Sequence, residues 1–236
     1  MKKLSSTIII TTLSIIAQNS FAERSGLFAG VDLTKSSSAI ESQWTCKEDK
    51  FLDSILKKET SRSGKSSKIG IGANVSYAYN YKNFFIAPGL AIHSIDTKDT
   101  SVDIVTKPGY TKSNLEREFS IKSRTSIKAD LGYEIADRLA IFVPVGINIV
   151  NYQIKSDFFL SKNPYTGKGT DASPFVGAGF SLKLIDNIYL NGEYNYTTIN
   201  YKKPMYDNKS TKATIDIEGK AHINTMRAGI SWNFQI

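Results

Sequence analysis

Residues 68–80 read KIGIGANVSYAYN, and their alternation decides the fold. Ile69, Ile71, Ala73, Val75, Tyr77 and Tyr79 fall on one parity. Gly70, Gly72, Asn74, Ser76, Ala78 and Asn80 fall on the other. A strand turns successive side chains to opposite faces, so this stretch predicts a strand with one apolar face and one small, polar face. The apolar face must meet either lipid or a protein core.

Working outward, the same alternation predicts strands at 24–35, 84–96, 119–134, 139–154, 171–184, 188–200 and 222–236. Between them, residues 36–67, 97–118, 155–170 and 201–219 are long and polar, with a short helical piece expected at 49–58. Residues 80–83, 135–138 and 185–187 are tight turns by composition. Long and short connections therefore alternate. Up-and-down antiparallel topology explains this, because every second connection then emerges on the same rim.

The N-terminus predicts a secretory signal peptide. Lys2 and Lys3 precede an apolar and hydroxyl run at 4–17, and Ser20-Phe21-Ala22 offers small residues for cleavage. Residues 1–22 are assigned to the signal peptide and 23–236 to a single barrel domain. Removing Lys2 and Lys3 takes two from the formal charge of +8. What remains is basic but dispersed among Asp and Glu, which suits solvated loops better than nucleic acid. Cys46 is the only cysteine, so no internal disulfide forms. The most apolar later run, 139–150, contains Pro144 and Asn148 and is too short for a transmembrane helix, which needs about 20 residues. A membrane-spanning form of this chain must cross as strands.

Glycines point to the answer between lipid and core. Gly30, Gly70, Gly72, Gly89, Gly132, Gly146, Gly177, Gly179 and Gly229 share the polar parity; only Gly192 joins the apolar one. Glycine weakens a strand, and a solvated face has no need of it, whereas a narrow lumen does. The same inward parity carries Asp32, Lys122, Arg124, Lys128, Asp130, Glu134, Lys183, Glu193 and Arg227. These are expected to form a lumen charge network, since an unpaired buried charge costs several kcal/mol. Tyr77, Tyr79, Phe84, Tyr133, Tyr194, Tyr196, Trp232 and Phe234 lie on the apolar parity near strand ends, as an interfacial aromatic girdle does. Strand centres on that parity are almost free of charge. Pro88 and Pro144 are expected to interrupt the ladder locally.

Three motifs carry a resemblance. Pro174-Phe175-Val176-Gly177-Ala178-Gly179, residues 190–196 (LNGEYNY) and residues 225–234 (TMRAGISWNF) resemble the sixth, seventh and closing strands of the opacity-protein and OmpA/OmpX-like small outer-membrane barrels. The resemblance implies an all-β fold: an eight-stranded antiparallel up-and-down transmembrane β-barrel, with four long extracellular loops and short periplasmic turns. It implies the outer membrane of a Gram-negative bacterium and surroundings of outer-membrane lipid and the barrel-insertion machinery. That machinery reads a terminal aromatic; here Phe234 is followed by Gln235 and Ile236.

Chemistry is sparse. His93 and His222 are the only histidines, and His93-Ser94 is a weak candidate for a hydrolytic pair near the loop end of its strand. No enzyme activity, cofactor, metal or nucleic-acid partner is expected. Long lumen side chains predict a plugged barrel rather than an open pore, since eight strands leave an interior just wide enough for side chains. A narrow porin-like channel or a purely structural outer-membrane protein is the alternative. The leading expectation is a surface antigen or adhesin, and the resemblance implies host-cell, serum or matrix proteins as the partners of its loops. Its candidate contacts are Trp44, Phe51, Tyr110, Phe158, Phe159, Tyr165, Tyr201 and Tyr206.

Overall fold

The computed structural model describes residues 25–47, 61–62, 66–105, 113–156, 165–208 and 213–234. The signal-peptide segment 1–22 and the expected helix at 49–58 lie outside the described residues. Eight long strands form the wall: β1 (Gly26–Lys47), β2 (Ser66–Tyr81), β3 (Phe84–Val105), β4 (Ser113–Ala136), β5 (Leu139–Ser156), β6 (Tyr165–Ile185), β7 (Ile188–Asn208) and β8 (Ala213–Phe234). Each pairs antiparallel with the next, and β1 pairs with β8 from Leu27–Phe234 to Lys47–Thr214, which closes the ring. Ser61–Arg62 adds a two-residue pairing to Glu41 and Ser42 of β1.

Three two-residue turns, at 82–83, 137–138 and 186–187, join the hairpins on one rim. Lys82 takes a φ of 55°, the left-handed setting that lets such a turn follow the strand twist. The carbonyls of Asn83, Arg138 and Asn187 accept hydrogen bonds of 2.8, 2.7 and 2.8 Å from the N–H groups of Glu134, Lys183 and Asn233. Each turn is thereby tied to the hairpin beside it.

Each strand carries an apolar belt on its outer face, and the face opposite is polar above an apolar turn end. Val31, Leu33, Ile69 and Ile71 are 60–73% exposed, while Thr34, His93 and Asn148 on the opposite parity are fully buried. Only a wall immersed in lipid displays its large aliphatic side chains this way around the whole ring. The ladder is interrupted beside two prolines, which have no N–H to donate. Pairing of β2 with β3 skips from Ser76–Gly89 to Tyr79–Ile86, next to Pro88. Pairing of β5 with β6 skips from Phe142–Gly179 to Val145–Val176, next to Pro144.

The strands run well past the ends expected from composition. β4 has 24 residues, against the roughly 9–11 that a membrane requires. Half or more of each expected long loop is strand. The residues left between strands on that rim are 48–65, apart from the pairing at 61–62, then 106–112, 157–164 and 209–212. The cause is a reversal of polarity. Beyond the belt, Lys122, Asn151, Lys155, Thr170, Lys168, Asn200, Lys202 and Lys220 face out, while Ile121, Val150, Tyr152, Ile154, Ile199, Tyr201 and Ile223 are buried inside. A segment with polar residues outside and few glycines reads as loop when the lower strand pattern is the guide.

The ring also divides above the belt. The β2–β3 ladder ends at Ile71–Ser94 and the β6–β7 ladder at Phe175–Thr197. There Thr197 Oγ1 donates to the Pro174 carbonyl at 2.8 Å. Beyond these points β3–β4–β5–β6 form one sheet and β7–β8–β1–β2 the other, with Ile121, Tyr152, Ile154, Ile199, Tyr201 and Ile223 buried between them.

Candidate functional site

The interior is layered, and parity assigns each layer. At the turn end Phe28, Ala78, Phe85, Ala87, Ala140, Phe142 and Tyr189 form an apolar cluster. Phe28 meets Tyr189 edge to face, with centroids 5.2 Å apart. Inward glycines make room for these rings: a Cβ on Gly132 would strike Phe85, and one on Gly179 would strike Phe142.

The middle layer is charged. Glu193 accepts from Lys128 Nζ at 3.0 Å, from Asn195 Nδ2 at 2.9 Å and from Arg227 in a close ion pair. Lys128 also binds Asp130 at 2.9 Å. His93 Nε2 lies 3.2 Å from Asp32 Oδ1 and 3.1 Å from Arg227 Nη1. Asp32 further accepts from Thr34 at 2.7 Å and Asn74 at 3.3 Å. Arg124 reaches across the lumen and donates to Thr225 Oγ1 at 2.6 Å. Asp32, Asp130 and Glu193 thus stand among Arg124, Lys128 and Arg227, so opposite charges balance inside the wall. The layer borders a cavity of about 70 Å³ on its turn side, room for about two waters at liquid density.

The third layer closes the loop end. Phe119 stacks on Tyr152 with centroids 5.5 Å apart, and Tyr201 lies 5.4 Å from Phe119 and 6.2 Å from Tyr152. Burial and the nearby Asp171 carboxylate raise the Tyr152 phenol above its ordinary pKa.

The sequence-derived residues distribute as follows. Asp32, Arg124, Lys128, Asp130, Glu193 and Arg227 meet in the middle layer. Glu134 is buried at the turn end and accepts from Asn80 Nδ2 at 3.1 Å. Lys183 lies opposite Tyr189 near the turn, apart from the cluster. Lys122 is a correction: a bulge between Ile121 and Ser123 sends it outward and turns Ile121 inward. Tyr77, Tyr79, Phe84, Tyr133, Trp232 and Phe234 face out at the turn rim, and Tyr194 and Tyr196 face out farther up β7. Tyr194 donates to Asn224 Oδ1 at 2.6 Å, and the Tyr196 hydroxyl lies 2.7 Å from His222 Nδ1.

Among the expected loop contacts, Tyr201 is a second correction, since it is 5% exposed inside the mouth. Trp44, Tyr165 and Tyr206 belong to β1, β6 and β7 rather than to loops. Phe51, Tyr110, Phe158 and Phe159 lie outside the described residues. His93 faces the lumen and Ser94 faces out, so the two form no nucleophile–base pair. Sequence reasoning missed the lumen role of His93 and both aromatic layers. Extending the parity of Asp32 and Arg227 along their own strands would have found Phe28 and Ile223.

A family model described as outer membrane protein beta-barrel domain matches residues 8–234. No match was found among curated proteins. Among solved structures, the chain is similar to the outer membrane protein OprG from Pseudomonas aeruginosa, at 12% identity and a TM-score of 0.54, covering 91% of this chain and 99% of that one. It is also similar to Ail, the attachment invasion locus protein of Yersinia pestis, in complex with the heparin analogue sucrose octasulfate, at 12% identity and a TM-score of 0.43, covering 89% and 99%. The outer membrane protease OmpT from Escherichia coli matches at 11% identity and a TM-score of 0.44, covering 92% and 99%.

Proposed function

Because the chain belongs to the outer membrane protein beta-barrel family and so resides in a Gram-negative outer membrane, we propose that it is a surface-binding protein, an adhesin or surface antigen, rather than a channel. The observation that carries this reading is the reversal of polarity above the belt. A barrel that only crossed the membrane would stop where the apolar belt stops. Here the strands continue, and the extension has its own apolar interior clamped by Phe119, Tyr152 and Tyr201. Such an interior makes a stiff pedestal, and stiffness lowers the ordering cost that a bound partner imposes on loops. The pedestal carries the last described strand residues, such as Tyr201, Lys202 and Lys220, beyond the apolar belt. The partners are host-cell, serum or matrix proteins, met by a lysine-rich exterior and by aromatic residues such as Phe51, Tyr110, Phe158 and Phe159. Phe234, facing out on the closing strand, serves the barrel-insertion machinery as the terminal aromatic.

The test is adhesion of cells displaying the whole chain to host cells and to immobilised serum and matrix proteins. Replacing 48–60 and 106–112 with short linkers should abolish binding. The heat-dependent gel shift of the folded barrel should survive. Undiminished adhesion by the shortened chain would sink the proposal.

A further inference from the structure

We propose that the outer wall of β4–β5–β6, just past the apolar belt, binds the phosphorylated sugar headgroup of an outer-leaflet glycolipid. The belt ends there in a row of three outward side chains on adjacent strands. Asn151 Nδ2 donates to Ser123 Oγ at 2.9 Å, and Thr170 Oγ1 donates to Asn151 Oδ1 at 2.7 Å. Ser123 and Asn151 are register partners, as are Asn151 and Thr170, so the row runs straight across the sheet. On its turn side Ile127, Ile147 and Ile149 continue the apolar wall, where acyl chains lie.

On its loop side stand the cations. Lys168 is the register partner of Gln153, one outward step above Asn151. Lys122 is the residue that the β4 bulge expels from the lumen, and it emerges beside Asn151. Both lysines are exposed. Lys155, the next outward residue of β5, lies 3.7 Å from Glu118. Strands lie about 4.8 Å apart, so the backbones of Lys122 and Lys168 are separated by about 10 Å across two strand spacings. Two lysines whose backbones stand at that span can swing their ammonium groups over a floor of hydroxyl and amide groups and reach the two phosphates of a bisphosphorylated sugar. The bulge acquires a purpose here: without it, Lys122 would add a cation to a lumen whose charges already balance.

The occupant follows from position and charge together. The site sits at the level where lipid tails give way to headgroups, on the rim of the long strands. A free anion would gain nothing from the isoleucine wall below.

The experiment uses the full chain in phosphatidylcholine nanodiscs and reads lipid binding by native mass spectrometry. The probes are bisphosphorylated lipid A and the same lipid with both phosphates removed. The bisphosphorylated form should bind preferentially. Lys122→Gln with Lys168→Gln should weaken it roughly 25-fold, about five-fold for each lysine at an anionic membrane surface. Lys82→Gln, on the turn rim, should change nothing. In the unaltered chain, 0.5 M salt should weaken the phosphorylated lipid alone, as screening of exposed charges requires. Equal binding of the two lipids, an unchanged affinity in the double variant, or displacement by millimolar inorganic phosphate would overturn the assignment.

Discussion

Tyr201 of β7 packs against Phe119 of β4, with ring centroids 5.4 Å apart and planes inclined at 31°. The two residues come from opposite sheets, above the level where the β6–β7 and β2–β3 ladders have ended. Backbone hydrogen bonds hold the lower ring closed. Over the upper half, side-chain packing across the interior takes over that task at both seams.

Tyr201→Ala should therefore loosen the mouth without unfolding the belt. Truncating a buried aromatic costs about 3–5 kcal/mol. Hydrogen exchange should accelerate at residues 198–203 and 220–224, while 188–196 keep their protection. Tyr201→Phe retains the ring and should keep protection at 198–203 closer to the parent than Tyr201→Ala does. Uniform protection in Tyr201→Ala would mean that the upper ring is held by something other than this contact.

Glu193 is the shared carboxylate of Lys128 and Arg227. Glu193→Gln keeps the shape and removes the charge, which takes the carboxylate from Arg227 and leaves Lys128 with Asp130 alone. Breaking one side of a buried ion pair costs about 3–5 kcal/mol. The midpoint of urea unfolding in lipid vesicles should fall accordingly. Lys122→Gln, on the outer wall, should move the same midpoint by no more than about 0.5 kcal/mol equivalent. A shift of equal size in both variants would contradict the placement of the two residues.

How much of this was legible in the sequence depends on the height above the turns. Within the belt, parity alone placed Asp32, Arg124, Lys128, Glu193 and Arg227 inside and Ile69, Ile71 and Trp232 outside, because one solvent, lipid, acts on the whole outer face. Above the belt the outer solvent is water and the rule reverses. Tyr201 then belongs inside for the same reason that Tyr194 belongs outside. The sequence carries this reversal, for example in Ile199, Tyr201 and Ile223 set against Asn200, Lys202 and Asn224. A reader who expects one polarity along a strand sees only a polar loop. The bulge at Ser123 is harder. It changes parity by one residue in the middle of β4, and no glycine or proline marks it. Partnership was invisible for a different reason: the closeness of His93 to Asp32 and Arg227 depends on barrel stagger, which period-2 reasoning does not contain.

Blocked ends predict electrical silence. The lumen is filled by Phe28, Phe85, Phe142 and Tyr189 below, by the charged layer in the middle and by Phe119, Tyr152 and Tyr201 above. In planar bilayers the chain should show no steady open level. Stable, large conductance steps would overturn the plugged lumen and favour a channel.

The bulge gives the sharpest contrast between neighbouring residues. Arg124 is 1% exposed and Ile121 is 2% exposed, while Lys122 between them faces out. In a Cys46→Ser background, Lys122→Cys should react quickly with a membrane-impermeant maleimide on intact cells. Ile121→Cys and Arg124→Cys should not. A regular strand would give a different pattern: Lys122→Cys and Arg124→Cys would be protected together in the lumen, and Ile121→Cys would be the residue open to the outside. Because unbroken alternation cannot put Lys122 and Arg124 on opposite faces, labelling of Lys122→Cys alone would establish the extra residue in β4. It would also establish which of its lysines stands at the membrane surface.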